Sequence, residues 1–159
     1  MTEELHSLKE LGEEKSFELS VIELIRYAII VIRIYRSPDG KIDTFFNKLE
    51  MIIQKLIVKH ETLILCGDWD INFLQTSPHT RDFNNLLLRY NLKHTVNIPT
   101  RITKTTATLL DVVITNEKKP INSPRVMDLG LSDHFTQIIS ISIPQFSNTP
   151  YRIKKRQFS

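Results

Sequence analysis

The chain has 159 residues, 41% of them apolar and 25% charged, with a formal net charge of +3. That length suits one domain or a piece of one, and the composition excludes a disordered or low-complexity chain. No apolar run is long enough for a membrane-spanning helix, so no membrane partner is expected. The single cysteine, Cys66, excludes an intramolecular disulfide and reads as a buried thiol in a reducing compartment. The acidic start, Met1-Thr2-Glu3-Glu4, lacks the basic and apolar regions of a signal peptide. These features together predict an intracellular protein, nuclear or cytoplasmic. A mild positive charge is compatible with a nucleic-acid partner without singling one out.

Residues 1–16 form a charged segment in which Leu5, Leu8 and Leu11 recur at helical spacing. Residues 17–24 alternate as a half-buried strand does, and residues 28–35 read as a more buried one, with Arg26-Tyr27 as the turn between them. Ser37-Pro38-Asp39-Gly40 is a strong turn signal. After it, Ile42, Phe45, Phe46, Leu49, Ile52, Ile53 and Leu56 mark an amphipathic helix over 43–58. A short buried strand over 62–66 follows, so strand, helix and strand alternate. Ser77-Pro78-His79 reads as a loop, with Thr80 or Asp82 capping a second helix that carries Phe83, Leu86, Leu87 and Tyr90. Beyond Pro99-Thr100-Arg101 and a Thr-rich stretch, residues 109–116 form another strand. Lys118-Lys119-Pro120 and Ser123-Pro124 break the chain, and residues 138–143 are strand-like. The expected organisation is a charged segment over 1–16, a mixed α/β domain over 17–143, and a basic linker over 144–159 with Lys154, Lys155 and Arg156.

The strand at 62–66 ends on Gly67 and two carboxylates, Asp68 and Asp70. Polar groups at the rim of an apolar sheet stand where ligands bind in α/β folds. A pair of acids there suits a divalent cation or an activated water, although Asp is also common in plain strand-to-loop exits. Tyr35, Asp111 and Asp133-His134 fall at or beside other strand ends. Each has an ordinary structural reading, but an acid flanked by aliphatics, as Asp111 is, needs a partner. A histidine beside a carboxylate has its charge state tuned near neutral pH.

Tyr35-Arg36-Ser37-Pro38, Gly67-Asp68-Trp69-Asp70, Pro99-Thr100-Arg101, Leu110-Asp111 and Ser132-Asp133-His134 occur in the order seen in the endonuclease/exonuclease/phosphatase superfamily. The chain most resembles the apurinic-type endonuclease of non-LTR (jockey-like) retrotransposons, from about Phe17 to Ile143. The resemblance implies part of a four-layer α/β sandwich with mixed, largely antiparallel sheets and outer helices. It implies phosphodiester cleavage in DNA with Mg²⁺ or Mn²⁺, and a reverse-transcriptase domain following in full-length relatives. By match, His134 contacts the scissile phosphate, Asp111 orients His134, and Asp68 positions or deprotonates the attacking water. Tyr35 donates to the phosphate, Asp133 lies at the metal, and Arg101 binds substrate.

Two departures qualify the resemblance. The family has Asn where this chain has Asp70; an amide donates to a phosphate oxygen, whereas a carboxylate cannot and adds negative charge. The family's early Asn and metal-ligating Glu find no match here, since Glu18 and Glu23 belong to the strand pair before Tyr35. An N-terminally truncated domain, impaired or inactive, is therefore expected. The alternatives are a non-catalytic relic or nucleic-acid-binding module, and a phosphatase of the same superfamily.

Overall fold

The computed structural model describes residues 17–58, 62–117, 122–141 and 143, so the segments expected at 1–16 and 144–159 lie outside the described residues. Strands β1 (Phe17–Leu24) and β2 (Ile29–Arg36) pair antiparallel from Phe17↔Arg36 to Leu24↔Ile29. Their connection is a 3₁₀ turn, Ile25–Tyr27, closed by Ala28 at φ 51°. Helix α1 (Ile42–Ile57) begins and ends one residue earlier than its periodicity suggests, and buries Phe45, Leu49, Ile52, Ile53 and Leu56. It leads into β3 (Thr62–Asp68), which lies parallel to β2. Parallel neighbours need such a crossover, because a tight turn cannot join them.

Helix α2 spans Pro78–Arg89, so the segment expected as a loop is its first turn. The cap is Ser77 rather than Thr80 or Asp82: Ser77 Oγ accepts from Thr80 N, and Thr80 Oγ1 accepts from Ser77 N. Pro78 occupies the first helical position, where its missing N–H leaves no bond unmade. The chain continues through β4 (Lys93–His94), β5 (Arg101–Ile102), β6 (Ala107–Thr108) and β7 (Asp111–Thr115). It then forms β8 (Asn122–Met127) and β9 (Thr136–Ser140). The breakers Ser123-Pro124 thus fall inside a strand. Pro124 sits where the β8–β9 pairing shifts register, between Asn122 and Arg125, and the lost N–H is tolerated at such an irregularity.

The main sheet runs β1-β2-β3-β7-β4, with β5–β6 and β8–β9 as separate two-stranded ribbons. Alternation divides its residues between two faces. Ile30, Ile32 and Ile34 of β2, Leu63 and Leu65 of β3, and Val112 and Ile114 of β7 pack against both helices. On the other face Ile29, Ile64 and Val113 form a smaller cluster with Ile139 and Ile141. The architecture is the mixed α/β class expected from the sequence, with helices on one face of the sheet and the β8–β9 ribbon on the other. Among the described residues no helix is long and apolar enough to cross a membrane.

Candidate active site

The site is placed by the end of β3. Gly67 has φ +135°, and a Cβ there would lie 1.9 Å from the Ile34 carbonyl oxygen, so only glycine lets β3 close on β2. Trp69 follows, fully buried, its indole edge-on to Phe45 at 5.4 Å and Phe83 at 5.2 Å. Anchoring this ring in the helix-side core turns its neighbours Asp68 and Asp70 toward solvent, and both are half-buried. Asp70 adopts φ 48°, a left-handed conformation that Asp and Asn tolerate better than most residues.

Arg36 fastens this loop. It is 3% exposed and donates to the carbonyls of Trp69 (2.7 Å), Ser37 (3.0 Å), Gly40 (2.7 Å) and Asp70 (3.0 Å). Its Nη2 also stands 3.5 Å from Asp70 Oδ2. The extra negative charge at Asp70 is therefore faced by a buried guanidinium. Asp70 N donates to Asp68 Oδ1 at 3.1 Å, which fixes the Asp68 carboxylate.

Asp68 and Asp111 are direct partners across the antiparallel β3–β7 pair. Asp111 Oδ2 lies 2.9 Å from His134 Nδ1, with the two side chains 20% and 30% exposed, shielded yet reachable. The ligand atoms of Asp68, Asp111 and His134 all lie within 4.8 Å of one another. Burial is the first cause pushing the Asp68 carboxyl above its usual range, and the nearby Asp111 charge adds to it. Two carboxylates and an imidazole so arranged fit a divalent cation, whose charge would relieve that strain on Asp68.

Backbone bonds hold His134 in place. Phe135 N donates to Thr100 O at 2.6 Å, Ile102 N to Asp133 O at 3.2 Å, and His134 N to Ser132 Oγ at 3.1 Å. Thr100 is fully buried, and its Oγ1 accepts from both Leu110 N (3.2 Å) and Asp111 N (3.1 Å). Gln137 Nε2 donates to Asp111 O at 2.8 Å, while its Oε1 is buried without a partner among the described residues. That residue also lines an apolar cavity of about 390 Å³ with Val31, Ile64 and Cys66. Burial pushes the Cys66 thiol up, consistent with an unreactive group.

Of the residues singled out in the sequence, Asp68, Asp111 and His134 meet. Tyr35 lies two residues past the Arg33↔Cys66 pair, as Asp68 does on β3, and shares their end of the sheet. Asp133 stands apart from the cluster and pairs with Arg101 Nε at 2.7 Å on an exposed surface. The Arg101 guanidinium is the main cause holding the Asp133 carboxyl below its usual range. Arg36, Thr100 and Gln137 carry no sequence signal as strong as the acids. Arg36 and Thr100 fall within the ordered motifs Tyr35-Arg36-Ser37-Pro38 and Pro99-Thr100-Arg101, but the sequence assigns neither a role.

Residues 29–138 match the sequence model of the family described as endonuclease-reverse transcriptase. The chain belongs to this family. It is thus a retrotransposon-type member of the endonuclease/exonuclease/phosphatase superfamily, as the ordered motifs imply. No curated protein matches the sequence. Among solved structures, the endonuclease domain of TRAS1, a telomere-specific non-LTR retrotransposon, superimposes with a TM-score of 0.61 at 20% identity. That match covers 78% of this chain and 60% of that domain, so the chain spans less than two thirds of it. The 3′ phosphatase NExo from Neisseria, bound to product DNA hairpin, gives 0.57 at 13% identity, covering 87% of this chain and 82% of that one. An endonuclease/exonuclease/phosphatase family protein from Leptotrichia buccalis gives 0.51 at 14%, covering 79% and 52%. At these identities the likeness is one of fold.

Proposed function

We propose that this endonuclease-reverse transcriptase family domain hydrolyses phosphodiester bonds in DNA with a divalent cation, Mg²⁺ or Mn²⁺. The observation that carries the reading is the Asp111–His134 pair at 2.9 Å facing Asp68 across β3 and β7. Asp111 accepts the Nδ1–H of His134, fixing its ring so that Nε2 faces the phosphate, and stabilises the ring when it is charged. Asp68 orients the attacking water and takes its proton. Tyr35 donates to a phosphate oxygen, and Arg101 lies where it can approach the neighbouring backbone. Asp68 and Asp111 would hold the cation, which would supply charge neutralisation at the phosphate. Asp133, expected at the metal, pairs with Arg101 and positions that side chain. The protein acts beside a reverse transcriptase, as the family's description suggests.

Asp70 favours a second, non-catalytic reading as a nucleic-acid-binding module. It replaces a donor with an acceptor, and losing one preorganised donor typically lowers the rate ~10²–10³-fold.

Plasmid nicking and phosphate release, each with and without Mg²⁺, separate the readings. Nicking that needs metal supports the endonuclease; phosphate release from 3′-phosphorylated ends without internal nicks would replace it with a phosphatase. DNA binding that weakens with salt but yields neither product would support the binding module.

A further inference from the structure

The turn joining β8 to β9, residues 128–135, carries His134 and so lies at the Asp68–Asp111–His134 cluster itself. Its tip is apolar and open to solvent: Leu129 is 52% exposed and Leu131 86%. Ile102, 44% exposed, stands beside it, because Ile102 N donates to Asp133 O and Arg101 bridges to His134. A single exposed leucine is ordinary, but two on one short turn with an isoleucine alongside make an apolar tip that marks a contact. The turn is also braced. Gly130 adopts φ 66° and its N–H donates to Asp128 Oδ1 at 2.7 Å, while His134 N donates to Ser132 Oγ at 3.1 Å. A turn held in this way loses little conformational freedom on binding.

Cations flank the tip. Arg101 pairs with Asp133 through Nε alone, which leaves its two terminal nitrogens without a partner among the described residues. Lys104, two residues past Ile102, is exposed and has no partner there either. Asp128, at the β8 end of the turn, is the opposing charge. Leu131 stands three residues from His134, so at most about 11 Å separates their Cα atoms. Phosphates of one DNA strand rise about 3.4 Å apart, so a phosphate at His134 puts Leu131 within about three nucleotides of the cut. The partner must therefore offer apolar surface bordered by negative charge at that spacing. A base step of duplex DNA does so.

We propose that Leu129 and Leu131 form an apolar wedge that enters a base step of duplex DNA beside the phosphate held at His134. The inference rests on the phosphodiester reading and adds to it a means of sensing how readily the duplex deforms. Apolar side chains inserted between base pairs unstack and kink DNA, at a cost that depends on the sequence being deformed.

The test is made in EDTA, so that binding is read without cleavage. Duplexes carrying the fluorescent base 2-aminopurine at successive positions are titrated with the wild-type chain and with the double variant Leu129→Ser/Leu131→Ser. Both substitutions fall at exposed positions, and circular dichroism checks that the variant is folded. The expected result is a rise in fluorescence, the sign of unstacking, near one position with the wild type and none with the variant. The variant should bind about 10-fold more weakly with the same salt dependence, because its phosphate contacts are untouched. Salt-dependent binding with equal affinity and equal fluorescence for both chains would overturn the wedge and leave the phosphodiester reading standing. Self-association lost in the variant, with duplex binding unchanged, would assign the leucines to a contact between copies and overturn it equally. No duplex binding by either chain, in EDTA or in Mg²⁺, would bring down both readings.

Discussion

His94 makes the stability of the domain fall on acidification, by an amount the structure sets. Its half-buried imidazole packs against Phe73 and Phe83, and the lost solvation lowers its pKa from 6.5 to about 4. Between those values the unfolded chain binds a proton that the folded chain refuses. Stability is therefore complete above pH 6.5 and drains away as the pH falls toward 4. From pH 7 to pH 4.5 the loss is about 2–3 kcal/mol, since each pH unit between the two pKa values costs about 1.4 kcal/mol. Asp68 works in the opposite sense, because its raised carboxyl gains a proton more readily in the folded chain. The comparison must therefore be with His94→Phe, which keeps a ring in the aromatic cluster and removes only the titration. Urea unfolding followed by fluorescence of Trp69, the chain's one tryptophan and fully buried, gives the stability at both pH values. If the wild-type chain and His94→Phe lost the same stability, the reasoning from burial would be refuted.

Thr100→Val should cost about 1–3 kcal/mol, because it removes the acceptor of two backbone N–H groups beside Asp111. Thr100→Ser should restore most of that on thermal melting. Gly67→Ala should destabilise by at least about 2 kcal/mol, or prevent folding, since the new Cβ meets the Ile34 carbonyl; circular dichroism melts decide it. Asp70→Asn returns an amide donor to the rim and keeps a residue that tolerates φ 48°. It should raise the rate of DNA nicking by up to ~10²–10³-fold with little change in melting temperature. An unchanged or lower rate would mean that Asp70 is not what limits the site.

Much of this architecture is legible in the sequence because it follows from periodicity. Phe45, Leu49, Ile52, Ile53 and Leu56 announce the face that α1 buries, and the apolar residues of β3 announce a strand covered on both sides. The first turn of α2 is less legible, since Ser-Pro reads as a loop until Ser77 and Thr80 are seen to exchange hydrogen bonds. Strand β8 carries the breakers Ser123 and Pro124, and only its pairing with β9 makes it a strand. At the site, Asp68, Asp111 and His134 stand out as polar groups at the ends of apolar runs. Their meeting depends on long-range pairing that no local pattern encodes. Arg36 and Thr100 act through backbone carbonyls and N–H groups brought from distant segments, so their roles appear only in three dimensions. The pairing of Asp133 with Arg101 is of the same kind.

The most direct test of the central claim is nicking of supercoiled plasmid in Mg²⁺ by the wild-type chain and by His134→Ala, with both shown to be folded. The account predicts nicking that requires the metal and falls by about 10²-fold or more in the variant. Equal nicking by the two, or none from the folded wild-type chain, would contradict it.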